Sequence, residues 1–457
     1  MKAMNKFSSR TIIGMLIGWF IIFEGLVAFS IADGAVVEGI GGIRASTFQL
    51  AAVQLIALGI FISIMWMFKP SSPEGNKTVL AKVFSVLTYA AMVIVSVEGL
   101  VIVYIGGPVF VEGIGGITNE LIVLSGAQLF VLGILSLRSW WLRDTKPMNW
   151  IVDGLGSIVA ALLVMEGLTV MGIAEMTNIE GIGYIKAYTF FDAGLQLFII
   201  GAMMFVLWTL VRESRAEGLM AKVLSRRNTL IIMLVLGGIV ALEGVIAASW
   251  AGAIDITDGR FFPKEYVVAG CAQLFLLGLL SPLLWRIRHK EMGFDFTPNF
   301  ITPIILSILA FEGVFAIGLS SKTNIGGIGT ILDSTFMIAG EQLLVLALIG
   351  LMAWMLKDQL HGVWTKRIMS AVPIVCLIII ALEGLAASLM AANIYIYDIE
   401  QGLSEKYVLL GGAQMVILSA IALFCWVRSD GVPFKFKMTG TAGAMFVMLI
   451  LPFVLVL

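Results

Sequence analysis

Residues 98–128 read EGLVIVYIGGPVFVEGIGGITNELIVLSGAQ, and the pattern in this stretch decides the fold. It begins with Glu-Gly inside one apolar segment and ends with Gln inside the next. The pattern recurs six times, with 30 or 31 positions from Glu to Gln and 68 to 77 between successive glutamates. The glutamates are Glu24, Glu98, Glu166, Glu243, Glu312 and Glu383, and the glutamines are Gln54, Gln128, Gln196, Gln273, Gln342 and Gln414. Such a period predicts tandem structural repeats.

Each glutamine is accompanied by small residues at two fixed positions. Two positions before it lie Ala52, Gly126, Gly194, Cys271, Gly340 and Gly412, and five positions after it lie Gly59, Gly133, Gly201, Gly278, Ala347 and Ser419. Positions seven apart share one face of a helix, so these residues predict a close-packing face with the Gln side chain roughly opposite. Small residues let membrane helices approach closely, and polar side chains then bond across the contact.

The composition is that of an integral membrane protein. Of the 457 residues 60% are hydrophobic and 13% charged, and the mean hydropathy is +1.02, outside the range of soluble domains. Thirteen apolar stretches reach the ~20 residues that a helix needs to cross a bilayer. They lie near 11–32, 46–68, 84–106, 118–137, 153–174, 187–210, 229–252, 266–285, 302–320, 333–356, 369–392, 406–427 and 438–457.

The predicted fold is therefore all-α, with six tandem two-helix hairpins and a thirteenth transmembrane helix. The repeats are placed at 1–69, 70–140, 141–211, 212–286, 287–357 and 358–428, and the last helix at 429–457. Because each repeat crosses the membrane twice, every repeat has the same orientation. This favours repeats that are related to one another by rotation about an axis along the membrane normal. A pseudo-six-fold ring is the expected arrangement, while a row or a filled bundle stays open.

The loops within the repeats are predicted to be turns. Four of them are rich in glycine, at 37–43, 111–117, 179–185 and 325–331, and are expected to form tight turns. The loops at 254–266 and 396–407 are longer and polar, and are expected to be solvated. None contains the Gly-Lys-Ser/Thr of a phosphate-binding loop.

The distribution of basic residues predicts the orientation in the cell membrane. Of the 29 Lys and Arg residues, 23 lie in the N-terminal tail, the connections between repeats and the segment before the thirteenth stretch. By the positive-inside rule these segments are cytoplasmic. The chain is thus predicted to be a multi-pass protein with its N-terminus in the cytoplasm and its C-terminus outside.

Cofactor chemistry is not expected. Cys271, Cys376 and Cys425 lie inside apolar helices without paired spacing, and His289 and His361 fall in polar loops. Haem, copper and zinc sites usually draw on His or Cys, so no cofactor and no metal centre of this kind is predicted. Cation sites built from oxygen ligands alone stay open.

The six carboxyls are the candidate functional groups. Each Glu and Gln is expected about 15 Å below the outer surface, near the bilayer centre. An ionised carboxylate there costs several kcal/mol, so it must be protonated, bonded to a partner, or facing water or a cation. The Gln amide is the expected partner, because it can donate to a carboxylate or accept from a protonated carboxyl. Asp192 and Glu341, close to Gln196 and Gln342, would distinguish repeats three and five.

Two functions follow from this layer, and neither is enzymatic. In the first, the chain conducts or exchanges protons or small cations at the twelve Glu and Gln residues with Asp192 and Glu341. In the second, it is a structural or assembly subunit of a larger membrane complex, and the Glu/Gln bonds only join helices. The expected partners are the lipid bilayer, other membrane subunits and protons or small cations, with no nucleic acid.

Overall fold

The structure is a computed structural model, which describes residues 9–30, 35–37, 41–43, 45–67, 79–105, 109–111, 115–141, 150–210, 226–256, 260–288, 298–321, 323–326, 329–356, 363–396, 401–403 and 405–428. Twelve helices lie in these ranges: α1 (Ser9–Ser30), α2 (Ala45–Met67), α3 (Val79–Ile105), α4 (Asn119–Trp141), α5 (Trp150–Gly172), α6 (Ala187–Leu210), α7 (Arg226–Ser249), α8 (Lys264–Arg288), α9 (Pro298–Gly318), α10 (Asp333–Leu356), α11 (Val363–Leu389) and α12 (Glu405–Arg428).

The helices confirm a multi-pass helical membrane protein. Eleven of those described are long and apolar enough to cross a bilayer, and α1 contains the shorter apolar segment Gly14–Ser30. Each of the first twelve predicted spans overlaps one helix. The thirteenth span, 438–457, lies outside the described residues. The three cysteines are free and lie within helices, as predicted.

The loops within the repeats are β-hairpins, which the sequence analysis did not predict. The strands are β1 (Ala35–Val37), β2 (Gly41–Ile43), β3 (Val109–Val111), β4 (Gly115–Ile117), β5 (Thr177–Ile179), β6 (Gly183–Ile185), β7 (Ile254–Ile256), β8 (Arg260–Phe262), β9 (Thr323–Ile325), β10 (Gly329–Ile331), β11 (Ile394–Ile396) and β12 (Gln401–Leu403). Gly181 and Gly183 have φ angles of +83° and +96°, so glycine closes the third hairpin where other residues would be strained. The two loops expected to be solvated, 254–266 and 396–407, contain or adjoin strands as well.

Consecutive hairpins join into four-stranded antiparallel sheets. The strand orders are β2-β1-β3-β4, β6-β5-β7-β8 and β10-β9-β11-β12. In β11 the outer residues Ile394 and Ile396 are buried and Tyr395 between them is exposed, which is the alternation of a sheet with one covered face. Two consecutive repeats that share a sheet are called a repeat pair. The ends of the helices beside the sheets are called the sheet end, and the opposite ends are called the loop end.

The strand register shows a local two-fold relation in each sheet. Val36 in β1 lies opposite Phe110 in β3, and Asn324 in β9 lies opposite Tyr395 in β11. Equivalent strands that pair antiparallel are related by a two-fold axis perpendicular to the sheet. A rotation of one sixth of a turn would not produce this strand pairing, so the strands of successive hairpins in a sheet are related by half a turn. The predicted pseudo-six-fold relation of the whole repeats stays a prediction.

The chain divides into two compact units. One contains Met1–Met148, Ser157–Glu175 and Lys186–Ser225, and the other contains Asn149–Gly156, Met176–Ile185 and Arg226–Leu457. The first repeat pair lies in the first unit. The third pair, formed by repeats five and six, lies in the second unit. Ring closure and the repeat boundaries stay predictions.

Within each hairpin the two helices pack at backbone contact, as the small residues predict. A Cβ added to the glycine after each glutamate would lie 2.6–3.0 Å from the carbonyl oxygen of the small residue two positions before the glutamine. Gly25 meets Ala52, and Gly244 meets Cys271. The second small position packs in the same way, since Gly59 faces the Gly18 carbonyl. Close approach of this kind is typical of small residues between membrane helices.

Exposed aromatic residues lie at both ends of the helices. At the sheet end they are Tyr104, Tyr188, Trp250 and Tyr266, and at the loop end Trp141 and Trp364. Trp and Tyr are enriched at the two interfaces of a membrane. Their positions indicate that the apolar helix segments between them cross the bilayer.

Candidate functional site

The Glu and Gln residues occupy the same positions in every helix hairpin, in the part nearer the sheet end. Each glutamate lies six or seven residues before the last residue of its helix, and each glutamine lies nine residues after the first. At 1.5 Å per residue these distances are about 10 Å and about 14 Å. The helices have 21 to 27 residues, so most of their length lies on the loop side of the layer. The glutamines therefore lie at about the predicted distance from the sheet end and the glutamates about 5 Å closer, while the position near the bilayer centre stays a prediction.

In the first repeat pair, two hydrogen bonds join the repeats to each other. The Nε2 of Gln128 in α4 donates to Oε1 of Glu24 in α1 over 2.8 Å. The Nε2 of Gln54 in α2 donates to Oε1 of Glu98 in α3. Each repeat gives its amide to the carboxyl of the other, which is the reciprocal contact that a two-fold axis produces.

The third repeat pair repeats this arrangement. The Nε2 of Gln414 in α12 donates to Oε1 of Glu312 in α9 over 2.5 Å, and Gln342 in α10 donates to Glu383 in α11. The predicted choice of the Gln amide as the partner of the carboxyl is confirmed in both pairs. The partner belongs to the neighbouring repeat, a choice that the sequence analysis left open.

The remaining candidate residues fall into two groups. Glu166 and Glu243 are half-buried and Gln196 and Gln273 are exposed, at the same positions of their helices as in the other repeats. Asp192 lies on α6 and Glu341 on α10, and both side chains are exposed. Within the described residues, neither Asp192 nor Glu341 makes a hydrogen bond or an ion pair. The structure thus joins the Glu and Gln residues of the first and third pairs and leaves these two acids outside the bonds.

The interior of the first repeat pair is filled with apolar side chains on the loop side of the Glu–Gln bonds. Ile21, Ile62, Met92 and Val95, one or two from each of three helices, are completely buried and belong to one cluster. Interiors of this kind are close-packed. The bonded Glu and Gln residues of this pair therefore lie beside a close-packed apolar core.

Six buried tryptophans form a second layer that the sequence analysis missed. Each lies twelve positions after a glutamine, and all are less than 2% exposed: Trp66, Trp140, Trp208, Trp285, Trp354 and Trp426. The fixed spacing from the glutamines was visible in the sequence. In the first repeat pair Trp66 and Trp140 meet edge to face, with 5.3 Å between ring centroids. They close the loop end of this pair.

Two buried arginines connect successive repeats beside the tryptophans. Arg138 Nη2 donates to the carbonyl oxygen of Trp208 over 3.3 Å, and the Arg286 guanidinium lies 5.9 Å from the ring centroid of Trp354. Both contacts run from an even-numbered repeat to the repeat that follows it. Buried arginine needs such partners, because an unpaired buried charge is costly.

Each Glu–Gln bond offers one carboxyl and one amide. Among the described residues, Glu98 uses only one of its oxygens, since its buried Oε2 has no hydrogen-bond partner there. Among the described residues, no group of three or more His, Cys, Asp and Glu side chains is placed to hold a metal ion. The arrangement can therefore join helices, and its carboxyls can carry a proton.

The fold and the site define a class of protein in structural terms. The chain is a multi-pass helical membrane protein in which carboxyl–amide hydrogen bonds join neighbouring helix hairpins. Comparison with protein-family models, curated proteins and solved structures gives no match.

Proposed function

We propose that the chain is a structural or assembly subunit of a membrane complex, whose Glu–Gln bonds hold helix hairpins together in repeat pairs. The observation that carries this proposal is reciprocity. Gln128 bonds Glu24 while Gln54 bonds Glu98, so both carboxyls of the pair are used to join its two halves. The same exchange in the third pair supports it, because two pairs with different sequences preserve the same bonds.

The surroundings of the bonds also favour a joining role. In the first pair the cluster that contains Ile21, Ile62 and Met92 fills the interior on the loop side, and Trp66 with Trp140 closes the end. A proton or ion that left Glu24 toward the loop end inside this pair would have to enter a packed apolar core. Hydrogen bonds between membrane helices contribute about 0.6–2 kcal/mol each, which is useful in joining hairpins that otherwise meet through apolar side chains.

A comparison of two sets of substitutions tests this role. Glu→Gln at all six glutamates keeps an oxygen acceptor for each amide, whereas Glu→Leu at the same positions removes it. We expect the Gln set to fold and resist unfolding in detergent about as well as wild type, and the Leu set to be strongly destabilised. Equal stability of the Leu set and wild type would exclude a joining role for the bonds.

Proton or small-cation exchange at the Glu/Gln layer is a second candidate, favoured by a separate observation. Glu98 Oε2 carries no hydrogen bond, and a joining role needs no ionisable group because Asn or Gln would supply the same contact. The layer is also within about 14 Å of the sheet end. In this role Asp192 and Glu341 would give repeats three and five a different occupancy by water or cations. A high-resolution map with the same occupancy in all six repeats would exclude that asymmetry.

A further inference from the structure

One face of α10 combines a row of exposed apolar side chains with a carboxyl that bonds to no other described residue. Ile338, Val345, Ile349 and Met352 are 60%, 50%, 42% and 59% exposed. Their spacing places them on one side of the helix, and Glu341 lies on the same side. We call these five residues the Glu341 face. None of the other residues that the structure describes covers these side chains.

The position occupied by Glu341 differs between odd and even repeats. Immediately before the glutamine, the even repeats carry alanines that are all buried: Ala127, Ala272 and Ala413. Ala127 packs against Val164 and Leu168 of the following repeat. The odd repeats carry larger residues that are exposed or half-buried, namely Val53, Leu195 and Glu341. Ala127 thus faces another repeat of the chain, whereas Glu341, which is the one acid at this position, is exposed.

A carboxyl on this face cannot be left against lipid without a large cost. Glu341 lies eight residues after the start of α10, or about 12 Å along the helix. A charged side chain in the hydrocarbon region is costly, and such residues normally pair or face water. Val53 holds the equivalent position in repeat one without this cost. An acid here is explained by something that covers it.

The covering group should be cationic and should belong to another polypeptide. Within the described helices, no Lys or Arg lies within seven residues of a Glu or Gln of the layer. The sequence of the thirteenth apolar stretch, 438–457, contains neither residue, so neither the described helices nor this stretch of a second copy would bring a positive charge to Glu341 at a matching depth. The four exposed apolar side chains match the surface of a transmembrane helix, because packing at i, i+3, i+4 and i+7 is how one helix meets another.

We propose that the Glu341 face is the docking site for a transmembrane helix of a partner protein that carries a lysine or arginine at the depth of Glu341. This inference rests on the proposed role as an assembly subunit and names the chemistry of the partner. The apolar side chains supply the contact area, and the ion pair fixes the depth and register of the partner helix. Repeat one, with Val53, provides the same kind of face without the charge.

The test uses the full-length protein in lipid nanodiscs and a synthetic transmembrane peptide as the probe. The peptide is a leucine-rich helix with one lysine about eight residues from its end, and its control is the same helix with leucine at that position. Both carry a fluorophore, so that association is measured by energy transfer to a labelled protein. We expect wild type to bind the lysine peptide about tenfold more tightly than the leucine peptide, which corresponds to about 1.4 kcal/mol.

The matched variant is Glu341→Val, which introduces the residue of repeat one. We expect it to bind both peptides equally, and we expect Glu341→Gln, which keeps the size and polarity, to lose most of the lysine preference as well. If Glu341→Val fails to fold, Glu341→Gln gives the result. A lysine preference absent from wild type, or unchanged in the folded variant, overturns the proposal.

A second measurement identifies the occupant in the source membrane. A photoreactive amino acid at position 345 should form adducts that map to a transmembrane segment with Lys or Arg within one turn, and Glu341→Val should remove them. Adducts with lipid only would overturn the docking site. They would leave the proposed joining role of the Glu–Gln bonds intact, because that role is tested by stability at six other positions.

Discussion

The bond between Gln128 and Glu24 should give a measurable coupling energy, and the pair Gln128 and Glu98 should not. Gln128 Nε2 lies 2.8 Å from Glu24 Oε1, in the neighbouring repeat, whereas Glu98 of its own repeat accepts from Gln54. Interhelical bonds in membranes contribute about 0.6–2 kcal/mol, so we expect a coupling of about 1 kcal/mol for Glu24 with Gln128. For Glu98 with Gln128 we expect less than about 0.3 kcal/mol.

The assay is unfolding of the purified protein by SDS in mixed micelles, followed by tryptophan fluorescence. Trp66 and Trp140 are buried against each other and become exposed when the first repeat pair separates. Each cycle compares wild type, the two single substitutions to leucine and the double substitution. A larger coupling in the Glu98 cycle than in the Glu24 cycle would refute the exchange of partners between repeats.

Three further predictions concern packing and orientation. Gly237→Ala should destabilise the protein by about 1–3 kcal/mol, because the added Cβ would meet the backbone of α8. Gly238→Ala, whose added Cβ would have nothing within 4 Å, should be neutral or stabilise the protein by up to about 1 kcal/mol. Thermal unfolding of the two variants compares these effects. In the same assay, Trp140→Ala should lower the free energy of unfolding by about 3–5 kcal/mol, and Trp141→Ala, at the exposed neighbouring position, by less than about 1 kcal/mol. Equal losses of stability would contradict the buried tryptophan layer. In a cysteine-free background, a cysteine at position 258 should react with an impermeant reagent only from outside the cell, and cysteines in the connections between repeats only from the cytoplasm; the reverse result would invert the orientation.

The spans and the helix contacts could be predicted from the sequence because both follow from local composition. Apolar runs of about 20 residues have one stable state in a bilayer, the helix. Small residues at a fixed distance from Gln54 and its equivalents indicate which face packs closely, and the contact of Gly25 with Ala52 confirms it. These inferences need no knowledge of which repeat lies beside which.

The two-fold pairing could not be predicted from the same pattern. A Glu and a Gln 30 positions apart bond equally well within a repeat or between repeats, and only the tertiary arrangement selects Gln128 for Glu24. The strands have three residues each, too short for a period-2 pattern to be distinguished from a glycine-rich turn. The alternation of Val53 with buried Ala127 was the available indication that odd and even repeats differ.

The glutamates lie closer to the sheet end than predicted for a related reason. The prediction put a short turn midway between Glu and Gln, which would leave about ten helical residues on each side. In the first repeat α1 ends at Ser30 and α2 begins at Ala45, so the hairpin between them takes part of the distance that had been assigned to helix. The glutamates are therefore closer to the sheets than a helix–turn–helix would place them.

Proton flux through reconstituted vesicles tests most directly whether the carboxyls act by bonding or by ionising. Wild type and the variant with Glu→Gln at all six glutamates are compared with an entrapped pH-sensitive dye under an imposed pH gradient and potential. The joining role predicts that the wild type conducts no faster than protein-free vesicles and that the folded six-fold variant behaves identically. Wild-type flux that disappears in the folded six-fold variant would contradict it and establish the layer as a proton pathway.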